Sequence, residues 1–283
     1  MKISTLGRAL AAVASIALST LFPDFLARAD DVGPPPNPTA AVDAPSAKID
    51  TLGGSFNGAG GAGVNGSVTL PVGEAFGVQL DGSGGRTDGG SRGGFGGHVF
   101  YRDPDRFLLG PTAMWSIVNN NAIQRYGAEG EYYFDRVTIK SLDGLQHWNY
   151  RQDAYYSLGG SFYATDNLAF SAEGGGFGNV HWGDAAAEWQ PWTGPTSLFS
   201  KIGAANRGKP TFFAGIRYAF GAPGTTLKYR ERHEDPPNIV DFTDNSSSGG
   251  FQSEYQQQHP GATSSSSSGC PPGFHLVGGI CAG

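Results

Sequence analysis

The stretch from Phe212 to Phe220 constrains the fold more than any other part of the sequence. Every second residue from Phe212 is apolar or aromatic, whereas Gly215, Arg217 and Ala219 occupy the opposite face. Because side chains alternate between the two faces of a strand, this pattern predicts a β-strand with one apolar face. Such a strand suits a transmembrane β-barrel, whose outer face meets lipid, or a half-buried strand of a soluble β-sandwich.

The N-terminal region has the features of a secretory signal peptide. Lys2 and Arg8 precede an apolar run over residues 9–22, and a small-x-small site predicts cleavage after Ala29. This run is too short to cross a bilayer as a helix, and no later stretch reaches about 18 consecutive apolar residues. No cysteine follows the cleavage site, which argues against a lipoprotein anchor. The exported chain is therefore expected to be either soluble or a barrel.

The charge balance of the mature chain excludes one class of partner. The whole chain has 19 basic and 25 acidic residues, of which three basic and one acidic lie in the signal peptide. The remaining 16 basic and 24 acidic residues give a net charge of −8. Nucleic-acid binding normally needs a basic stripe, so no nucleic-acid partner is expected. The two cysteines, Cys270 and Cys281, predict one disulfide in an oxidising compartment.

Short turns recur along the chain at a regular spacing. Their centres lie near residues 72, 104, 135 and 166, a repeat of roughly 31 residues that fits successive hairpins with the short turns on one side. The sequence thus predicts an all-β, up-and-down antiparallel transmembrane β-barrel of about ten strands, with eight or twelve possible. The predicted strands are 48–57, 62–70, 75–86, 92–102, 107–117, 123–134, 137–146, 153–165, 168–178 and 210–220.

Composition divides the remainder of the chain. Residues 30–47 are predicted to form a Pro-rich linker, and 48–220 the barrel. Residues 221–269 are first densely charged and then rich in Ser and Gly, which predicts a disordered tail. Residues 270–283 are expected to form a small loop closed by the disulfide. The stretch 179–209 breaks the hairpin spacing and is interpreted as a long outer loop containing Trp182, Trp189 and Trp192.

Polar residues opposite the apolar faces are the candidates for the barrel lumen. They either line a constricted charged channel or form an ion-pair network that plugs it. The chain has 45 glycines, and 18 of them lie between residues 53 and 97, which leaves space inside the first strands. The nine candidate lumen residues are Gln79, Asp81, His98, Arg125, Glu129, Glu131, Lys140, Glu173 and Arg217.

With its signal peptide and alternating strands, the chain resembles small, porin-like outer-membrane β-barrel proteins of Gram-negative bacteria. The order Gly215-x-x-Tyr218-x-Phe220 is similar to the last-strand signal that directs such barrels to their assembly machinery, although Phe213 stands where that signal usually has a polar residue. The resemblance covers residues 48–220. It implies residence in outer-membrane lipid, assembly from the periplasm, and roles from passive pore to adhesion. Both tails are then expected in the periplasm.

Three functional hypotheses follow. The favoured one is a non-enzymatic structural or narrow porin-like barrel that passes small solutes, without catalytic, cofactor or metal sites. The second is an adhesin that binds surface ligands through the Trp-rich loop at 179–209. The third is an outer-membrane hydrolase using His147 with Asp153, or His181 with Asp184 and Glu188, although neither set has a diagnostic spacing.

Overall fold

A computed structural model describes residues 40–56, 58–88, 90–118, 121–148, 151–192, 194–206, 209–221 and 224–243, together with two short strands near the C-terminus. The signal peptide with its cleavage site at Ala29, the first part of the Pro-rich linker and the Ser/Gly-rich stretch lie outside the described residues. Cys270 also lies outside them, and the side chain of Cys281 is not described, so the disulfide stays a prediction.

The chain forms a closed, antiparallel, up-and-down barrel in which each strand pairs with the next. The predicted fold class is confirmed, and the twelve strands are the upper limit of the predicted number. The strands are β1 (Ser46–Phe56), β2 (Ala59–Val72), β3 (Phe76–Thr87), β4 (Gly90–Asp103), β5 (Phe107–Val118), β6 (Asn121–Tyr133), β7 (Val137–Trp148), β8 (Arg151–Thr165), β9 (Leu168–Phe177), β10 (Val180–Trp189), β11 (Thr196–Ala205) and β12 (Thr211–Phe220). A separate two-stranded sheet contains β13 (His275–Val277) and β14 (Ile280–Ala282).

The barrel closes where the last strand meets the first. β12 pairs with β1 along its whole length, with Ala47 opposite Phe220, Asp50 opposite Arg217 and Ser55 opposite Phe212. The prediction that the strand 210–220 closes the barrel against 48–57 is therefore confirmed. Closure leaves neither strand with an unpaired edge, which is what allows a sheet to cross a bilayer.

The outer surface of the barrel is apolar, as the alternating pattern predicted. Phe95 is 62% exposed, Leu158 is 53% exposed and Phe212 is 50% exposed, although all three lie within strands. Aromatic side chains such as Tyr101 and Phe134 stand beside the short turns. An apolar band edged by aromatic residues is the surface that a membrane-spanning barrel presents to lipid. Among the described residues, no helix is long and apolar enough to cross a membrane.

Replacement of Leu158 by arginine tests this surface. Leu158 lies near the middle of β8, and a charge there would face hydrocarbon, so Leu158→Arg is expected to lower the free energy of unfolding in lipid vesicles by ~2–4 kcal/mol. Phe134→Arg, at a turn, is the matched control and should cost only ~0–1 kcal/mol. Urea titration of the heat-modifiable band measures both. Equal small losses would contradict a lipid-facing Leu158.

The two ends of the barrel carry different connections between strands, and we name them the turn end and the loop end. The turn end carries the connections at 73–75, 104–106, 134–136, 166–167 and 190–195, and both β1 and β12 meet the rest of the chain there. The loop end carries the connections at 57–58, 88–89, 119–120, 149–150, 178–179 and 206–210. The connections are short at both ends because the strands are long, and β8 has 15 residues.

The stretch 179–209 is not a loop, and that prediction was wrong. It contains β10 and β11, joined by a connection at the turn end. The sequence did not predict β10, because most of its outward positions are small residues that give little hydrophobic signal: Gly183, Ala185 and Ala187. Trp182 is buried inside the barrel, and only Trp189 and Trp192 are exposed.

The charged stretch after β12 was expected to be a solvated tail, and the structure corrects this too. Residues 227–233 form a helix, α1 (Leu227–His233), whose N-cap Thr226 accepts a hydrogen bond from the backbone of Tyr229 at 3.3 Å. Residues 234–243 continue into the barrel, and Val240 and Phe242 are fully buried there. The hydrophilic side chains of this segment can lie inside the barrel because the lumen wall is itself polar and charged.

The part of the Pro-rich linker within the described residues is also packed. The backbone of Ala41 donates to Glu74 O at the turn end at 2.7 Å. Val42 is buried in a small apolar cluster with Phe100, Leu108 and Tyr133. The chain on the N-terminal side of β1 therefore enters at the turn end and closes part of that mouth.

Candidate functional site

All nine predicted lumen residues lie on the inner face of the barrel. Six are buried outright, and Lys140, Glu173 and Arg217 are partly exposed to the space inside. They are brought together because odd and even positions alternate on every strand, so the polar face of each strand points inward. The six buried residues are Gln79, Asp81, His98, Arg125, Glu129 and Glu131.

Arg217 ties the closing seam together. Its guanidinium donates to both oxygens of Asp50 on β1, at 2.7 Å from Nε and 2.9 Å from Nη2. Nη1 donates to Glu188 on β10 at 2.5 Å, and Ser197 donates to the same carboxylate at 2.6 Å. The bidentate geometry is the strong form of an arginine–carboxylate pair. One side chain thus links three strands around the point of closure.

Two lysines hold acidic partners on the wall from β7 to β11. Lys140 on β7 lies 3.2 Å from Glu173 on β9. Lys201 on β11 lies 3.1 Å from Asp184 on β10 and 3.8 Å from Asp241 of the tail. These pairs leave their side chains partly accessible, so they face open space inside the barrel and do not fill it.

The wall of β2, β3 and β4 carries a denser hydrogen-bond network. Thr69 donates to the amide oxygen of Gln79 at 2.7 Å, and the Gln79 amide nitrogen donates to Asp81 at 2.8 Å. His98 forms a short contact through Nδ1 with the Glu129 carboxylate. These buried groups have partners, which is what a polar interior requires to be stable.

The helix α1 is anchored at the turn end by arginines. Arg102 is 2% exposed, and it donates to Ala41 O at 2.5 Å and to the carbonyls of Glu231 and Glu234 at 3.3 Å. From the helix, Arg230 donates to Gln190 at 2.6 Å and Arg232 to Phe134 O at 2.6 Å. The helix is thereby bound to β4, to the N-terminal segment and to the connections of the turn end.

Three titratable groups of α1 have shifted pKa values, and one of them is the His233 imidazole, whose pKa is lowered by burial. The hydroxyl of Tyr229 donates to Asp43, and this hydrogen bond raises the pKa of Tyr229 to about 12. Burial raises the pKa of the Glu231 carboxyl, which lines the lumen. The packed environment of the helix therefore favours the uncharged form of these side chains.

Inside the loop end, an aromatic cluster narrows the lumen. Arg125 stacks its guanidinium 4.1 Å from the centre of the Tyr155 ring and donates to Gln146 at 2.7 Å. Sequence reasoning missed this cluster because its members alternate with residues that also have apolar character. It contains Val118, Ile123, Trp148, Tyr155, Phe177, Val180 and Trp182.

Between the tail and the opposite wall lies a cavity of about 260 Å³. It is bounded by the wall that runs from β6 through β12 to β1 and β2, and by α1 and residues 235–243. Its charged lining has nine acidic and five basic side chains. The acidic residues are Asp50, Glu129, Glu131, Glu173, Asp184, Glu188, Glu231, Asp235 and Asp241, and the basic residues are Lys48, Lys140, Lys201, Arg217 and Arg230.

The side chains proposed for a hydrolase do not meet. His147 packs against Tyr126 on the outer face of the barrel. Asp153, on the neighbouring strand β8, points inward. His181 is exposed on the outside of β10, and Asp184 and Glu188 line the lumen. Across the part of the chain that the structure describes, no group of three or more His, Cys, Asp or Glu residues could hold a metal ion.

The fold is similar to that of solved membrane barrels, although no known protein family and no curated protein matches the sequence. A KdgM porin in complex with disordered oligogalacturonate aligns with a TM-score of 0.51 and 12% identity, over 62% of this chain and 99% of that chain. A structure from a study of in-meso crystallization of membrane proteins gives 0.51 and 9%, over 71% and 97%. A NanC porin gives 0.49 and 7%, over 60% and 98%. At these identities the likeness shows the fold alone, a closed barrel of the outer-membrane type.

Proposed function

We propose that this protein is a non-enzymatic outer-membrane barrel through which small polar solutes diffuse slowly and passively. The observation that carries the proposal is the charged cavity inside the barrel, since its ion pairs face open space. A barrel of eight strands is filled by side chains and one of sixteen holds an aqueous channel, so twelve strands leave an intermediate lumen.

The passage is narrow because the chain itself occupies much of it. α1 lies across the turn end, where Leu227 packs with Tyr163 of β8 and Ala169 of β9. Residues 234–243 lie against the wall of β1 to β4, and the aromatic cluster lies beneath the loop end. A cavity of about 260 Å³ holds several waters, at ~30 Å³ each in the liquid. The proposal is therefore limited to ions and small solutes.

The lining favours cations. Nine acidic side chains against five basic ones attract positive charge and repel anions in a confined lumen. The solute named for the KdgM porin, oligogalacturonate, is an anionic chain, and the shared fold does not transfer it to this protein. Small cations and neutral polar molecules fit this lumen better.

The selectivity of the channel tests the proposal. In planar bilayers with a KCl gradient, the wild type is expected to give small, cation-selective currents. Glu131→Gln removes one buried acidic group but keeps an oxygen for the Tyr133 hydroxyl, 2.9 Å away, so it should lower the K⁺/Cl⁻ permeability ratio. Asp105→Asn, on an exposed turn, is the control and should leave the ratio unchanged. Absence of any current above background, also after removal of the tail, would leave only a structural envelope role.

The orientation of the barrel belongs to the same proposal. We place the turn end and the N-terminal segment in the periplasm, because the resemblance implies assembly from that side and the assembly signal at Gly215, Tyr218 and Phe220 runs to that end of β12. The adhesin hypothesis loses its basis because the expected Trp-rich loop is a pair of strands.

A further inference from the structure

Residues 234–243 follow the inner wall of the barrel in one direction. They start at the turn end, where Lys48 lies 3.4 Å from the Asp235 carboxylate and donates to Pro236 O at 2.9 Å. Gln79 donates to the same Pro236 carbonyl at 3.2 Å. Lys48 is two residues into β1 and Gln79 is three residues into β3, so both lie close to the turn end.

The next contacts lie deeper in the barrel. The backbone of Ile239 donates to the Asp81 carboxylate at 2.8 Å, two positions further along β3. Val240 packs over Gly96 on β4, where an added methyl group would come within 2.8 Å of its side chain. The segment has thus moved from the rim to the middle of the wall.

The last contacts lie at the loop end. The backbone of Phe242 donates to Asn65 at 2.8 Å, and its ring packs at 5.7 Å from the ring of Phe213. The same ring lies 5.3 Å from the guanidinium of Arg92. Phe213 and Arg92 each stand two residues from the loop end of their strands.

The length of the segment leaves little slack. From Gln79 to Gly85, which also contacts Phe242, β3 advances six residues, or ~20 Å at ~3.3 Å per residue. From Pro236 to Phe242 the tail also has six steps, which reach at most ~20 Å when fully extended. The tail therefore advances along β3 from Pro236 to Phe242, with a bend at residues 239–240, and does not fold back within this distance.

Glycines on the wall make room for this path. A methyl group added at Gly63 would lie 2.7 Å from the Phe242 ring, and one at Gly85 would lie 2.5 Å from it. Together with Gly96, these residues form a groove in β2, β3 and β4 that side chains would otherwise fill. The glycine-rich composition of the first strands thus has a packing role.

We propose that residues 234–243 carry the chain through the barrel, so that the chain beyond Thr243 emerges at the loop end. The N-terminal segment and the 40 residues after Thr243 then lie on opposite sides of the membrane. In the orientation proposed above, the barrel displays its C-terminal region at the cell surface. This replaces the expectation of two periplasmic tails, and it holds whether or not the lumen conducts.

The test compares the two ends of one chain. One epitope is inserted after Asp31 and a second after Gly283, and antibody binding is measured on intact cells and on cells with a permeabilised outer membrane. The proposal predicts that one epitope is accessible in intact cells and the other only after permeabilisation. Accessibility of both epitopes under the same condition would overturn it. The comparison does not depend on which way the barrel is oriented or on any transport activity.

A groove-filling variant tests the path itself. The nearest atoms to a side chain at Gly63 all belong to the Phe242 ring, so Gly63→Val should lower the accessible fraction of the C-terminal epitope severalfold. Gly84→Val adds the same group where no atom lies within 4 Å, and it should behave as the wild type. Adding Phe242→Ala to Gly63→Val should restore accessibility. A heat-modifiable Gly63→Val protein with unchanged accessibility would contradict the groove path.

Discussion

Ending the chain after Gly221 is expected to raise the single-channel conductance of this barrel severalfold. The truncation removes α1, which lies across the turn end, and residues 234–243, which lie along the wall of β1 to β4, and it leaves all twelve strands intact. It also removes two of the carbonyls that Arg102 contacts and both partners of Lys48, whose ammonium group would then face water in the opened lumen. Conductance in planar bilayers measures the effect, with heat-modifiability confirming that the barrel still forms.

The matched control ends the chain after Thr243. This truncation also shortens the protein, but it keeps every described contact between the tail and the wall, including those of Ile239 and Phe242. Its conductance should equal that of the full chain. Equal conductance for both truncations would show that the segment 224–243 does not limit flow.

Arg217→Ala is expected to cause the largest loss of stability of any single substitution in the lumen. It leaves the carboxylates of Asp50 and Glu188 without their guanidinium at the closing seam, and Asp50 has a side chain only 2% exposed. Removing one partner of a buried pair costs ~3–5 kcal/mol, because the remaining charge stays buried and unpaired. Since the Arg217 side chain is 25% exposed, we expect the lower end, ~3 kcal/mol.

Urea unfolding of the purified barrel measures this loss. The control is Arg106→Ala, at an exposed turn where the side chain lies 3.9 Å from Asp103, and it should cost at most ~1 kcal/mol. Adding Asp50→Asn and Glu188→Gln to Arg217→Ala should recover part of the stability, because no unpaired carboxylate then remains. If Arg217→Ala and Arg106→Ala unfold at the same urea concentration, Arg217 does not secure the seam.

The sequence was most informative where lipid requires an apolar face. The outward residues of β12, from Phe212 to Phe220, were predicted in full, and so was the pairing of this strand with β1. The strand β7, whose period fades after Ile139, was placed by the regular spacing of the short turns. The strand β10 was missed because glycine and alanine on its outer face give no period, and β11 was missed because Ser200 separates Leu198 from Ile202 on its outer face.

Composition was least informative inside the barrel. A run such as Lys228–Asp235 is hydrophilic whether it is solvated outside the protein or packed against a charged lumen. The nine lumen residues were placed on the inner face by alternation, but their partners come from other strands and from the tail, as when Asp81 accepts a hydrogen bond from Ile239. No local pattern gives the register that brings such groups together.

The sequence by itself determined the class of fold, the outward faces and the closing strand, because each depends on side-chain alternation within one strand. Only the tertiary structure decided the number of strands, the ion pairs of the lumen and the course of the tail. These depend on which surfaces face one another across a closed barrel. The strand at 212–220 illustrates both cases. Its apolar outer face follows from the sequence, whereas Arg217 binds Asp50 and Glu188 only because the barrel closes.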